Sequence, residues 1–152
     1  MTALALADPQ ASEAVGRALA DIARPGDVVT LSGPLGSGKT TFARGVLAAL
    51  GLEGEAASPS YPIVIPYAPP EIAISIWHVD LYRIDEPGDL AELGLDDALT
   101  DTALLVEWPE RAPDAWADAL ALTLEPLESG GRRLTWAAGP AWGGRWPPPK
   151  ST

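Results

Sequence analysis

The chain has 152 residues, ten Lys and Arg against 21 Asp and Glu, one His, no Cys and a formal net charge of −11. This length predicts one compact domain, and the missing cysteines exclude disulfides and cysteine-ligated zinc or iron–sulfur sites. The acidity argues against unassisted binding of nucleic acid, which depends on clustered Lys and Arg, although acidity also simply keeps a small protein soluble.

The first third of the chain predicts strand, helix, strand, loop and helix. Residues 2–7 alternate weakly and predict a strand, and Asp8 followed by Pro9 is typical of a helix start. Pro25-Gly26 ends that helix. The β-branched run over residues 27–32 predicts a second strand, and apolar residues at helical spacing predict a second helix after a glycine-rich loop.

That loop, GPLGSGKT over residues 33–40, is a complete G-x-x-x-x-G-K-[ST] phosphate loop. Its glycines let successive backbone N–H groups point at phosphates, and the following helix adds the positive end of its dipole. We expect Lys39 to reach the β and γ phosphates of a nucleoside triphosphate and Thr40 to bind Mg²⁺. The alternative, a glycine-rich turn with a chance lysine, fits the flanking strand and helix poorly. The residues expected at the nucleotide are Gly33, Leu35, Gly36, Ser37, Gly38, Lys39, Thr40 and Thr41.

The rest of the chain predicts antiparallel additions to a parallel core. The runs over 62–67 and 73–79 predict a hairpin, because a parallel crossover needs a dozen or more residues. The remaining predicted elements are one or two short helices over 85–99, a buried strand over 102–106, and a C-terminal hairpin of 118–124 with 132–136. The predicted fold class is α/β, a three-layer fold like that of phosphate-loop NTPases, with a mixed sheet whose parallel core is extended by antiparallel hairpins.

The composition changes at Gly139, where the chain becomes rich in Pro and Gly. We therefore expect a single domain over residues 1–138 and a flexible tail over 139–152. Trp142 and Trp146 lie in this tail, and docking of these two side chains on the domain is the alternative.

Two acids stand where neighbouring strands end. Asp80 follows the run AISIWHV, and Glu107 follows the run TALLV. Open α/β sheets bind their ligands at the carboxyl ends of strands, so both acids are candidates for Mg²⁺. One can hold the ion directly or through water, and the other can orient the attacking water. A strand that merely stops at a charge is the alternative for each acid, but two acids beside a complete phosphate loop favour a functional role.

Other residues near these motifs allow two interpretations each. Ser60, in the segment SPSY, is placed to supply a hydroxyl to the metal and γ-phosphate, but Ser-Pro is also a common turn. His78 shares a strand face with Asp80, and we interpret it as structural because a lone histidine lacks partner ligands. Trp108 either responds to nucleotide beside Glu107 or packs in the core.

No feature of the sequence predicts export or membrane insertion. No basic residue precedes the short apolar stretch at the start of the chain, and no apolar run approaches the length of a membrane span. The lack of cysteine fits a reducing compartment. We expect a cytoplasmic protein that does not bind membranes.

Taken together, these motifs resemble one family, the small bacterial ATPase TsaE, also called YjeE, of tRNA threonylcarbamoyladenosine biosynthesis. The matching strings occur in the family's order between residues 33 and 111, a stretch of about half of the chain, and only the phosphate loop is widely shared outside the family. They are GPLGSGKTTFARG at 33–45, SPSYPIVIPY at 58–67, HVDLYRI at 78–84, LGLDD at 93–97 and LVEWPER at 105–111.

The resemblance implies Mg²⁺-dependent hydrolysis of ATP to ADP in support of a complex that attaches threonylcarbamoyl to the adenosine beside the anticodon of tRNAs reading ANN codons. By the same resemblance, Lys39 and the loop backbone bind phosphates, Thr40 and Glu107 coordinate Mg²⁺, Asp80 is the second acid, and Ser60 is the switch hydroxyl. The implied partners are TsaD and TsaB, with tRNA reached only through that complex.

The chain departs from the family pattern at three positions. It has Pro34 where the family usually has Asp, Ser37 where it has Ala, and Ser60 where it has Thr. Ser60 keeps a hydroxyl, whereas Pro34 cannot offer a backbone N–H. No motif fixes the adenine pocket, for which the N-terminal strand and the C-terminal hairpin, with Arg132, are candidates.

Two rival functions use the same loop. A small-molecule kinase is one, although residues 85–101 contain no Lys or Arg and therefore do not resemble an arginine-bearing lid. A nucleotide-gated binding module with negligible turnover is the other, and it has the same sequence signature.

Overall fold

A computed structural model describes residues 3–34, 36–54, 64–84, 86–112 and 115–147 of the chain. Within these residues the strands are β1 (Ala3–Leu6), β2 (Val28–Ser32), β3 (Val64–Tyr67), β4 (Ile76–Asp80), β5 (Ala103–Glu107), β6 (Leu120–Pro126) and β7 (Arg132–Ala138). The α-helices are α1 (Pro9–Ile22), α2 (Lys39–Ala49) and α3 (Leu95–Ala98), and short 3₁₀ helices span Pro87–Leu93, Pro109–Arg111 and Pro140–Trp142.

All these strands form one mixed sheet in the order β1-β7-β6-β2-β5-β4-β3. The central strands β6, β2, β5 and β4 run parallel to one another. Strand β3 pairs antiparallel with β4, and β7 pairs antiparallel with both β6 and β1. The prediction of a parallel core extended by antiparallel hairpins is therefore confirmed. The short link between β3 and β4 and the one between β6 and β7 each join an antiparallel pair.

Alternating side chains give the sheet two apolar faces. On β5, Leu105 packs in the core beneath α1 and α2, whereas Leu104 and Val106 pack in the core beside α3. Strand β2 is also covered on both faces, as expected for a central parallel strand. The two cores place helical segments on opposite sides of the sheet, which gives three layers.

Helix α1 begins where the sequence predicts a helix start, and it packs on α2. Asp8 caps α1 by accepting a hydrogen bond from the Ala11 N–H at 2.8 Å, and Pro9 occupies the first turn. Helix α1 packs directly on α2, where a Cβ on Gly16 would lie 3.3 Å from the Val46 nitrogen. Among the described residues, none of the helices is both long enough and apolar enough to cross a membrane.

Residues 139–147 pack against the domain, which is the docked alternative to the flexible tail expected from residue 139. The Trp142 side chain is fully buried, and Trp146 packs edge-to-face on Trp136 with ring centroids 5.9 Å apart. The Arg145 guanidinium bonds both carboxylate oxygens of Asp27. Two large aromatic side chains bury enough apolar surface to hold a glycine- and proline-rich segment in place. The last residues of the chain, 148–152, lie outside the described ranges.

Candidate nucleotide-binding site

The parallel register brings the predicted site residues to one edge of the sheet. Asp80 of β4 pairs with Glu107 of β5, and Glu107 pairs in turn with Leu31 of β2, one residue before that strand ends. The phosphate loop follows β2 directly. These ends surround a cavity of about 380 Å³ lined by Gly36, Ser37, Gly38, Lys39, Thr40, Thr41, Asp80, Glu107, Trp108 and Arg132.

Glycines shape the loop at two positions that no other residue fits. Gly33 has φ 140°, and a Cβ there would lie 2.2 Å from the Leu124 carbonyl oxygen, so the loop rests on the backbone of β6. Gly38 has φ 99° and precedes α2 without any side-chain cap. The first N–H groups of α2 are thus left for an anion, as in other phosphate loops. Leu35 lies outside the described residues.

Lys39 is held by neutral groups. Its Nζ donates to the Gly33 carbonyl at 2.6 Å and lies 3.4 Å from the centroid of the Trp108 ring. Burial lowers the pKa of Lys39, and the nearby Glu107, Glu110 and Asp80 charges oppose that shift. Among the described residues no carboxylate pairs with Lys39 within 4.0 Å. Its charge therefore gains from any phosphate that enters the cavity.

Glu107 joins Thr40 to His78. The Thr40 hydroxyl donates to the Glu107 carboxylate at 3.0 and 3.2 Å, and His78 Nε2 lies 2.7 Å from Glu107 Oε2. His78 is fully buried. We interpreted His78 as structural from the sequence, which did not predict its hydrogen bond with Glu107. Strand alternation offered the signal, since His78 and Asp80 share a face of β4 and Glu107 ends the next strand.

Asp80 is buried beside Glu107. Burial raises the pKa of Asp80 and the Glu107 charge raises it further, while the Tyr82 N–H, His78 and Lys39 act in the opposite direction. The Tyr82 N–H donates to Asp80 Oδ1 at 2.9 Å. Two adjacent buried acids, one of which has a pKa raised by burial, are typical of sites that bind a cation or handle protons.

The donor set fits Mg²⁺. Neighbouring ligands of an octahedral Mg²⁺ lie roughly 2.9–3.0 Å apart, since each is about 2.0–2.1 Å from the ion. Thr40 Oγ1 and Glu107 Oε1 are 3.0 Å apart. The described residues contain no group of three or more His, Cys, Asp or Glu side chains that could hold a metal by themselves. Mg²⁺ in nucleotide sites takes its remaining ligands from water and phosphate, so this number of protein ligands suffices.

Trp108 has the only positive φ of a non-glycine residue in the described ranges, with φ 59° and ψ 50°. This left-handed conformation is costly for a bulky residue and is typical of functional sites. It turns the ring over Lys39 on one side, while Tyr82 lies against it with ring centroids 4.9 Å apart. Trp108 therefore contacts the site and also packs on the apolar core beside α3.

A second cavity of about 250 Å³ adjoins the loop. It is formed by the end of β1, the start of α1, the loop and the β6–β7 hairpin, with lining residues Leu6, Ala7, Asp8, Pro9, Ser12, Ser37, Gly38, Thr41, Leu124, Gly131 and Arg132. This is where an adenine pocket between the N-terminal strand and the C-terminal hairpin is expected, and that assignment stays a prediction. Ser60 lies outside the described residues, as does the rest of SPSY.

A scan against family models matches residues 6–134 to TsaE, described as threonylcarbamoyl adenosine biosynthesis protein TsaE. The chain belongs to the TsaE family. The tRNA threonylcarbamoyladenosine biosynthesis protein TsaE of Streptomyces coelicolor is 38% identical to this TsaE-family chain over 113 residues, covering 73% of the chain and 76% of the relative. The protein of that name from Mycobacterium leprae is 38% identical over 102 residues, covering 62% of the chain and 63% of the relative.

A solved structure agrees with the fold of the TsaE-family chain. The crystal structure of Bacillus subtilis YdiB superposes with a TM-score of 0.73 at 28% identity, covering 90% of this chain and 84% of that one. The resemblance inferred from the motifs is thereby confirmed for the family and for the fold.

Proposed function

We propose that this TsaE-family protein binds and hydrolyses ATP with Mg²⁺, and that its turnover supports the complex that attaches threonylcarbamoyl to the adenosine beside the anticodon of tRNAs reading ANN codons. One observation carries the proposal: Lys39, Thr40, Asp80 and Glu107 meet around one cavity at the end of the phosphate loop. A lysine, a hydroxyl and two carboxylates at this edge are the groups that phosphoryl transfer to water requires.

Each side chain has a role that its contacts support. Lys39 exchanges the Gly33 carbonyl and the Trp108 ring for phosphate oxygens. Thr40 and Glu107 hold Mg²⁺, which when bound neutralises charge on the phosphates. His78 holds the Glu107 carboxylate in place. Asp80 orients the water that attacks the γ-phosphorus as the bond to the β–γ bridging oxygen breaks, and the proton that this water loses ends on the released phosphate or in solvent.

The same contacts support the proposal that turnover is slow in isolation. Lys39 is already bonded, and Thr40 is already bonded to Glu107, so nucleotide must displace protein partners before the site is complete. We propose that TsaD and TsaB favour that rearrangement and that the protein acts with them in the cytoplasm. The net charge of −11 favours contact with tRNA through those partners and not directly.

Phosphate release tests this proposal. The full chain is assayed with Mg-ATP alone and with TsaD and TsaB at concentrations where all three associate, and the Lys39→Ala variant serves as the control for contaminating ATPases. We expect slow release alone and faster release with the partners. No increase would overturn the partner-activated function, and nucleotide binding without any release would instead establish a nucleotide-gated binding module.

A further inference from the structure

Arg132 is placed at the phosphate loop by the sheet topology. It is the first residue of β7, which runs antiparallel to β6, so the start of β7 lies at the edge where the loop begins. In the register it lies opposite Leu6, the last residue of β1. The preceding Gly131 allows this approach, since a Cβ there would lie 2.5 Å from the Leu6 carbonyl oxygen.

The guanidinium bridges β7 to two successive loop carbonyls. Nε donates to the Ser37 carbonyl at 2.7 Å, and Nη2 donates to the Gly36 carbonyl at 3.1 Å. Nη1 donates to the Gly131 carbonyl at 2.9 Å, which fixes the other side of the group. Within the described residues Arg132 forms no ion pair with a carboxylate. Its charge is therefore compensated only by neutral carbonyls, at a position shared by the phosphate cavity and the adjoining cavity.

Holding the carbonyls determines where the loop amides point. In a trans peptide the C=O and the following N–H point in opposite directions. Because Arg132 holds the carbonyls of Gly36 and Ser37, the N–H groups of Ser37 and Gly38 point away from it. An anion site needs the carbonyls held in this way, since carbonyl oxygens turned toward phosphate would repel it. The Ser37 N–H donates to the Pro34 carbonyl at 3.1 Å, so a phosphate bound at this N–H displaces that carbonyl.

We propose that Arg132 is a positioning residue for nucleotide, which keeps the loop between Gly36 and Gly38 in the shape that binds phosphate. This inference rests on the proposed binding of nucleotide. Neither the phosphate-loop motif nor the family match assigns such a role to a residue of the C-terminal hairpin. Without this support the loop spends a smaller fraction of the time in the conformation that binds phosphate, and its apparent affinity for nucleotide falls in proportion to that fraction.

The effect is expected on ADP and ATP alike. The loop amides lie at the α and β phosphates, which both nucleotides share, whereas Lys39 reaches toward the γ-phosphate. Arg132→Ala loses both hydrogen bonds to the loop, and the value of one charged hydrogen bond alone already predicts a loss of affinity of roughly 10- to 150-fold. Arg132→Lys keeps the charge, but a single ammonium cannot hold two carbonyls as a planar fork does.

The experiment measures Mg-ADP and Mg-ATP binding by calorimetry for Arg132→Ala, Arg132→Lys and the control Arg133→Ala, together with the melting temperature of each free protein. Arg133 is the matched control because it is the next residue of β7 and its side chain is exposed. We expect both Arg132 variants to bind both nucleotides more weakly, while Arg133→Ala binds like the unaltered protein. In turnover assays, KM should rise more than kcat falls.

Three results would overturn the role of Arg132: unchanged affinity in Arg132→Ala, full recovery of affinity in Arg132→Lys, or weaker binding of ATP alone. If Arg132→Ala does not fold, Arg132→Lys decides the question, because it retains the charge and the aliphatic stem. Unaltered protein that binds no nucleotide would overturn the proposed function as well. Normal binding by the unaltered protein with normal binding by both Arg132 variants would overturn only the present inference.

Discussion

Two groups of charged side chains lie at opposite ends of β2, and they differ in how fully their charges are paired within the protein. At the start of the strand, Asp27 receives a two-pronged hydrogen bond from Arg145. Arg145 also donates to the carbonyls of Ile22 and Ala141. The hydrogen bond with Asp27 raises the pKa of Arg145, so the pair favours its charged form.

The other end of β2 has charges that its surroundings disfavour. Burial lowers the pKa of Lys39 and raises the pKa of Asp80. The first group is an ion pair held within the fold, whereas the second group is the one that we propose a charged ligand completes. The comparison separates charges that stabilise the fold from charges that, by this proposal, are kept for binding at a cost in stability.

The largest expected effect is on stability, near the start of β2, where Asp27 and Arg145 pair. Trp142→Ala removes a fully buried indole and should cost about 3–5 kcal/mol of unfolding free energy. At about 2–4 °C per kcal/mol, the melting temperature should fall by roughly 10 °C. Thermal melting measures the loss of stability, and nucleotide titration well below the melting temperature measures the affinity of the folded protein. A loss of nucleotide affinity with an unchanged melting temperature would contradict the separation of the two ends.

Glu107→Ala is the next test, at the binding end. Turnover should fall by about 100-fold or more, because the variant loses the carboxylate proposed to hold Mg²⁺. Phosphate release against Mg²⁺ concentration measures this. Glu107→Gln is the control, since it still accepts hydrogen bonds from Thr40 and His78 but carries no charge. Normal Mg²⁺-dependent hydrolysis in both variants would show that the metal assignment is wrong.

Lys39→Ala should weaken nucleotide binding by roughly 10- to 150-fold, the value of a charged hydrogen bond. The melting temperature of the free protein should change little, because Lys39 is bonded there only to a neutral carbonyl and a ring. Calorimetric titration with Mg-ATP measures the first effect and thermal melting the second. Strong destabilisation with intact affinity would make Lys39 a structural residue like Arg145.

The smallest expected effect concerns Asp80 and pH. A carboxyl whose pKa is raised on folding contributes stability below its unfolded pKa, and this contribution is lost as pH rises through the folded pKa. Asp80→Asn should therefore raise the melting temperature of the free protein at neutral pH, because the amide carries no charge to be buried. The gain should shrink toward acidic pH. Melting curves from mildly acidic to neutral pH measure it, and an Asp80→Asn variant that is less stable at neutral pH would contradict the assignment.

Local patterns allowed much of this protein to be predicted from the sequence. The phosphate loop, the Asp8 cap and the short links of the hairpins depend on residues close together in the chain, so each leaves a recognisable string. The carboxylates could be predicted because parallel strands must end at one edge. The TsaE resemblance was also carried by short strings, which is why it agreed with the family match.

Only the tertiary structure decided the contacts between distant residues. Arg132 reaches Ser37 across 95 positions, Arg145 reaches Asp27 across 118, and His78 reaches Glu107 across 29. No local spacing distinguishes these side chains from an exposed arginine or an ordinary core histidine. The glycine- and proline-rich composition after residue 139 predicted flexibility, but two tryptophans found apolar partners on distant strands and helices. Backbone propensity acts over a few residues, whereas burial and charge matching depend on the whole fold.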